Sequence, residues 1–245
     1  MVDIVEAADI ETASDSYASR FAGAVGAWFL EVQERATLEL LAGCPRSRVL
    51  DVGGGHGQLT GALVRAGYDV TVQGSALECG ARIEQWVRAG AVRFDVASLL
   101  DLPYADCAFD VVLCYRLLPH VARWRALVAE LARVARHAVL VDYPERRSAN
   151  AVTPLLFPLK KRLEGNTRPY RVFRRAELLA AFGAHGFEYA AHRPEFFVPM
   201  VVHRKLNAPG LSRAVEAASR ALGLTRLFGS PVILKVERRR AGEGG

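Results

Sequence analysis

The chain reads as a doubly wound α/β protein, a mostly parallel sheet of seven strands with helices on both faces. Three observations lead there. Short apolar runs alternate with helical patterns of about 10 to 15 residues, the rhythm that parallel neighbours impose because each needs a crossover connection. The first such run breaks straight into glycines, SRVLDVGGGHG, and then into a helix. With 51% hydrophobic and 24% charged residues among 245, the composition is that of a globular chain that can bury one deep core, and not of a disordered or disulfide-scaffold one.

Each element follows in order. From Tyr17 to Leu41 apolar residues recur at helical spacing through Phe21, Val25, Trp28, Phe29 and Val32, until Gly43-Cys44-Pro45 stops the run. Residues 1–42 are thus an N-terminal helical arm. SRVLDV predicts the first strand, and QLTGALVRAG, with Leu59, Leu63 and Val64 on one face, the helix after it. YDVTVQG and ALECGARIEQWVRAG repeat the unit. AVRFDV is a third strand, FDVVLCY with PHVARWRALVAELARVAR a fourth strand and its helix, and HAVLVDY a fifth. Residues 43–144 form the core around the glycine loop, and the architecture is Rossmann-like. Beyond Pro144 the rhythm changes. The helix RAELLAAFGAHGF precedes a strand-like EYAAHRPEFFVPM, another helix falls within 203–230, and PVILKVE is the last strand. Two insertions, at about 145–174 and 203–230, interrupt this second part, residues 145–245, of a single domain spanning 1–245. A fold of this kind places a substrate cover there.

Several function classes drop out. No apolar run approaches the roughly 20 residues of a spanning helix, and the acidic start MVDIVEAADIETASD lacks the basic and apolar regions of a signal peptide. A cytoplasmic location without membrane insertion is expected. Cys44, Cys79, Cys107 and Cys114 form no CxxC pair and have no histidine at metal-ligand spacing, so reduced, packed thiols and no metal are expected. The formal net charge of +6 is unevenly spread: residues 145–245 hold 19 basic and 8 acidic side chains, residues 1–50 only 4 and 8. Arg-rich stretches such as KKRLEGNTRPYRVFRR can attract an anion. No nucleic-acid-binding motif accompanies them, so a solvated basic surface is the simpler reading and no nucleic-acid partner is expected.

The glycine loop, Asp51-Val52-Gly53-Gly54-Gly55-His56-Gly57, stands where an open α/β sheet binds ligands. Glycine there permits positive φ and lets bare backbone approach a ligand. A dinucleotide fingerprint starting at Gly53 requires glycine at position 58, which is Gln58. The spacing is instead D-x-G-x-G-x-G, and with it the chain resembles the class I S-adenosylmethionine-dependent methyltransferases. The resemblance extends over residues 17–144. VRFDVASLLDLPYADCAFDVVLCYRLLPHV followed by WRALVAELARVARHAVLVDYP is similar to the central half of the small-molecule, quinone-biosynthesis-like branch.

The resemblance implies S-adenosyl-L-methionine as cofactor, its amino-acid part cradled by Asp51, Gly53, Gly54, Gly55 and Gly57. Where the family carries a ribose-binding carboxylate at the end of the second strand, this chain has Gln73-Gly74-Ser75, and the usual Gly-Asp of the adenine site is Ala97-Ser98. Gln73 or Ser75 is then expected at the ribose, with Gly74 between them, and Ser98 with the Leu99 amide at the adenine. Tyr115 stands on the same rim. In such enzymes an N-terminal helix closes over the cofactor, which points to Tyr17 at the opening and to Arg20 as partner of the cofactor carboxylate.

Methyl transfer from a sulfonium is an in-line displacement, so the protein mainly aligns the acceptor and excludes water. His120, after the fourth strand, is the candidate base, with Tyr143 beside it as a second catalytic candidate. Trp28, Arg116, Arg168, Arg171, Phe196, Phe197, Met200 and Arg204 are candidates for the acceptor pocket, which suits an aromatic, polyketide-like or quinone-like small molecule. Oxygen is preferred over carbon or nitrogen as the methylated atom. The alternatives are a non-methylating reaction with the cofactor bound and a non-catalytic binding module on the same fold. The acceptor, the need for a base, and the choice between monomer and homodimer stay open.

Overall fold

The computed structural model describes residues 7–44, 48–148 and 171–239. Its sheet is built from β1 (Arg48–Val52), β2 (Asp69–Gly74), β3 (Val92–Val96), β4 (Phe109–Cys114), β5 (Ala135–Tyr143), β6 (Phe187–Pro194) and β7 (Val232–Arg238). They lie in the order β3-β2-β1-β4-β5-β7-β6. The first five strands are parallel, and β7 runs antiparallel to both β5 and β6. The chain winds outward from β1 to β3 and then returns to place β4 on the other side of β1. This reversal sets the switch point at the carboxyl ends of β1 and β4, the usual ligand position in such sheets. Register brings the site's residues level there, with Asp51 opposite both Val72 and Leu113, and Val52 opposite Gln73.

Both faces of the central strands are covered, which is why they read as unbroken apolar runs. Leu50, Val52, Val112, Val139 and Val141 pack against Trp124, Leu127, Val128 and Leu131 of helix α6 (Trp124–Val134). Val49, Val70, Val72, Val111 and Leu113 pack on the other side against Leu40 and Leu41 of α3 (Gly23–Leu41) and Leu63 of α4 (Thr60–Arg65).

Three expectations change in detail. The arm is not one helix from Tyr17: α1 (Ala8–Ala13), α2 (Asp15–Ala18) and a 3-10 turn at Ser19–Phe21 precede α3. Gly23 has φ +71°, and a Cβ on Gly26 would stand 2.1 Å from the Phe21 carbonyl, so the chain folds Phe21 back onto α3 at a place no bulkier residue allows. After β2 the expected helix is a 3-10 segment, Leu77–Ile83, followed by the short α5 (Glu84–Arg88). There a Cβ on Gly80 would meet the Phe94 ring at 2.7 Å, which lets this segment lie flat against its neighbours. The last strand-like stretch ends at Pro194, and Glu195–Pro199 turns into helix α8 (Met200–Leu206). Helix α7 (Arg175–Gly183) precedes β6. Of the first insertion, residues 149–170 lie outside the described residues, but its two ends meet. Arg146 N donates to Phe173 O at 2.8 Å and Phe173 N to Pro144 O at 3.0 Å.

Between β6 and β7 the chain forms α8, α9 (Pro209–Ala221) and α10 (Leu224–Phe228). One buried carboxylate organises this segment. Glu216 of α9 accepts from Phe197 N at 3.0 Å and Val198 N at 2.8 Å, and lies 3.1 Å from His203 Nε2 of α8. His203 in turn packs among Trp28, Phe29 and Phe196. No helix among the described residues is long and apolar enough to cross a membrane. Because Glu216 satisfies two backbone amides and an imidazole out of contact with water, Glu216→Ala is expected to lower unfolding free energy by about 2–4 kcal/mol in urea titrations. An unchanged midpoint would show that the cover is held by other contacts.

Candidate active site

The glycine loop is built where side chains cannot fit. Gly53 and Gly57 take φ of +72° and +71° on either side of a 3-10 turn, Gly54–His56. A Cβ on Gly54 would stand 2.2 Å from the Asp51 carboxyl, and one on Gly55 2.0 Å from the Cys79 carbonyl. Gly53 N donates to Gln73 O at 2.8 Å, locking the loop to the end of β2. Beneath it Asp51 is fully buried and neither of its carboxyl oxygens has a hydrogen-bond donor. Burial alone pushes its pKa up to about 7. An acceptor in that state is matched to a ligand that brings its own donors, an ammonium group above all.

The end of β2 is arranged differently from expectation. Gln73 Nε2 donates to Gly74 O at 2.9 Å and Ala97 O at 2.7 Å, so its amide clamps β2 to the end of β3, while its buried Oε1 has no donor. Ser75 N and Ser75 Oγ both donate to the carboxylate of Asp9, at 2.6 and 2.5 Å. Asp9 belongs to α1 and is 1% exposed. A carboxylate does stand at the end of β2, delivered by the arm. The only hint in the sequence is an acidic residue on a short helical stretch, which carries no information about so distant a partner. The arm is also pinned by Arg82, whose Nε donates to Ala13 O at 2.9 Å and whose guanidinium pairs with Asp15. Ser98 is exposed and accepts from Leu100 N at 3.2 Å, and Leu99 is a core residue.

A second buried group of charges lies at the ends of β4 and β5. Arg116, with φ +60°, donates its backbone N–H to Asp142 Oδ1 at 2.6 Å and holds Nε 3.3 Å from Asp142 Oδ2. Its other arm lies 3.8 Å from Glu195 Oε2, and the Phe21 ring sits under it at 5.4 Å. Burial raises the pKa of Asp142 and of Glu195, the latter to about 8, against the opposing pull of Arg116. Tyr17, buried in the arm, feels first burial and then Arg116. His56 lies close by, its pKa pushed down to about 3 by burial and by Arg116, so its imidazole is neutral.

The candidates therefore separate. Asp51, the glycines, Gln73, Gly74, Ser75, Tyr17 and Arg116 occupy the switch-point end of the sheet and the arm that covers it, although the Arg116 guanidinium is already committed to protein carboxylates. Arg20 is exposed and stacks on Tyr17 at 5.0 Å. Tyr115 points into the core, its hydroxyl 3.0 Å from Thr37 Oγ1. Tyr143 is 1% exposed, donates to Glu145 Oε2 at 3.2 Å and packs edge-on to Phe173. Trp28 and Phe196 pack edge to face at 5.2 Å in a closed aromatic cluster, with Met200 at its margin and Phe197 half-buried next in the chain. His120 ends the 3-10 turn Leu118–His120 after β4, half-buried. Arg171 joins that turn by donating its backbone N–H to Pro119 O at 2.9 Å and stacks its guanidinium on Trp124. Arg204 is half-buried on α8. Arg168 lies outside the described residues. Asp9, Asp142 and Glu195 are site groups absent from the sequence-derived candidates.

A family profile described as a methyltransferase domain matches residues 50–140, the stretch that runs from β1 through the glycine loop to β5. This stretch, under half of the chain, is similar to a methyltransferase domain. Among similar proteins, O-methyltransferase rstn1 of Aspergillus nomiae is 31% identical over 112 residues, 42% of this chain and 49% of that one. The ubiquinone biosynthesis O-methyltransferase of Hahella chejuensis is 34% identical over 108 residues, 43% of each. The chain thus spans about half the length, or less, of these curated relatives. The magnesium protoporphyrin IX methyltransferase of Synechocystis PCC 6803, solved with S-adenosylhomocysteine, has the same fold. It superposes with a TM-score of 0.66 at 16% identity over 96% of this chain and 99% of that one. The [4+2]-cyclase SpnF shares the fold at a TM-score of 0.55 and 20% identity, over 87% of this chain and 80% of that one.

This buried charge cluster has a measurable signature. Glu195 takes up a proton on folding because its pKa rises from 4.5 to about 8. Its contribution to stability is full below the unfolded value and is lost as pH rises through the folded one. Glu195→Gln is therefore expected to gain in melting temperature relative to wild type between pH 5 and pH 8.5. A gap that stays constant across this range would show that Glu195 is ionised throughout.

Proposed function

We propose that the protein transfers the methyl group of S-adenosylmethionine to an oxygen atom of a small molecule of aromatic, polyketide-like or quinone-like kind. The observation that carries this reading is Asp51, a buried carboxyl without a donor beneath a loop too tight for any side chain, at the sheet's switch point. The names of the relatives, O-methyltransferases of fungal and bacterial origin, support oxygen as the acceptor atom.

The cofactor, when bound, supplies a methyl group already activated on a sulfonium. The chain's own residues then have four tasks. Asp51 accepts the ammonium of the amino-acid part, and the backbone of Gly53–Gly57 closes around it. The buried Oε1 of Gln73 offers a further acceptor at the end of β2. Tyr17, Phe21 and α1 cover the sheet end and exclude water. His120, on the turn after β4 with Arg171 joined to that turn, takes the proton from the acceptor hydroxyl.

The direct test is incubation with methyl-labelled S-adenosylmethionine and a panel of phenols and hydroxyquinones, reading S-adenosylhomocysteine and labelled product by mass spectrometry. Binding of NAD(P) in place of the adenosyl cofactor would refute the reading. Because Asp51 must be ionised to hold an ammonium and its pKa is about 7, affinity for S-adenosylhomocysteine is expected to tighten as pH rises from 6 to 8. Asp51→Asn is expected to bind at least about tenfold more weakly at pH 8 and to lose that pH dependence, since a charge-assisted bond is replaced by a neutral one.

A further inference from the structure

We propose that Asp9 is a cofactor-binding residue. Its carboxylate, carried to the sheet by the N-terminal arm, accepts the two vicinal hydroxyls of the ribose in a bound adenosyl group, so that closing the arm completes the site. This rests on the function proposed above and adds to it a residue and a coupling.

The argument starts from position. The Cβ of Asp9 lies 3.5 Å from where a Cβ on Gly53 would stand, and its carboxylate is bound to Ser75, 66 residues away in the chain. Asp9 therefore sits between the glycine loop and the end of β2. These two features are joined directly, since Gly53 N donates to Gln73 O. A ligand anchored by its ammonium at Asp51 and extending across the switch point towards β2 must meet Asp9.

Chemistry then narrows what it meets. A carboxylate has room for about four donors. Ser75 supplies two, and the Cys79 thiol beside it is a weak third. No cation pairs with Asp9 among the described residues. A buried carboxylate in this condition gains from any further strong donor, and a vicinal diol brings two hydroxyls at adjacent carbons, matched to two adjacent oxygens. The Ser75 bonds need not break, because each carboxylate oxygen has a second lone pair, and the weak thiol donor gives way to the second hydroxyl. A phosphate in the same place would be repelled. Since Asp9 rides on α1, tied to the core by Ser75 and by the Arg82–Ala13 bond, binding the ribose and closing the arm become one event.

The test is calorimetric titration of wild type and Asp9→Asn with S-adenosylhomocysteine and with its 2′-deoxy analogue. Wild type is expected to lose at least tenfold in affinity on losing the hydroxyl, and Asp9→Asn no more than twofold. Asp9→Asn should bind the complete ligand at least tenfold more weakly than wild type. Equal binding by the variant, or an equal penalty in both proteins, overturns the assignment. Tighter binding by the variant overturns it too, and would make Asp9 a plug. If wild type binds no S-adenosylhomocysteine, the proposed function falls and this inference with it, so the two failures are distinguishable. Should Asp9→Asn not fold, wild type alone decides. Hydrogen exchange in Ile10–Ala13 should slow with 5′-methylthioadenosine, which carries the ribose, and not with L-methionine. Equal protection by both, or by neither, overturns the assignment.

Discussion

Taking Arg116 out of water obliges everything around it to supply compensation, and the chain answers from three directions. Asp142 of β5 binds both the backbone N–H and the guanidinium of Arg116, an arrangement that requires the left-handed backbone at this residue. A non-glycine residue in that region is uncommon and strained, and persists only where its surroundings over-determine it. Glu195 arrives from the turn after β6, and the Phe21 ring from the arm. Arm, core and cover thus converge on one side chain. A buried ion pair of this kind adds little net stability against an apolar replacement, but losing one partner leaves the other buried and uncompensated. Its effect is to fix where the three parts of the chain stand relative to one another.

The same logic explains what could be read from the sequence. Parallel strands covered on both faces must be apolar along their length, and each must be followed by a crossover, so the core from β1 to β5 is written locally. The direction of β7 is not, because PVILKVE has the same composition whichever way it runs. The glycine loop is legible for a steric reason: close approach to Asp51 and Cys79 removes side chains, and that removal shows as glycine. Asp9 and Glu195 leave no such trace. A carboxylate whose donor or cation lies dozens of residues away looks like any surface acid, and only the tertiary fold brings Asp9 to Ser75 or Glu195 to Arg116. Aromatic residues were ambiguous for the opposite reason. Trp28 and Phe196 have the size of pocket-lining residues, but the same size makes them the filling of a closed cluster with Phe29 and His203.

Charge separates this glycine loop from the phosphate-binding loops that it resembles in outline. A loop of bare amides at the start of a helical turn favours anions. Here a fully buried carboxyl lies directly beneath the loop and a second, Asp9, lies beside it, while Arg116 is held by Asp142 and Glu195. Arg116 faces Asp142 and Glu195, and no cation pairs with Asp51 or Asp9 among the described residues. A phosphate placed on this loop would add charge to an existing excess of the same sign. A ligand with an ammonium group and neutral hydroxyls would relieve that excess at both carboxyls at once. Burial that is costly to the free protein would thereby favour such a ligand, and the arm over the sheet end would keep water from relieving the cost first.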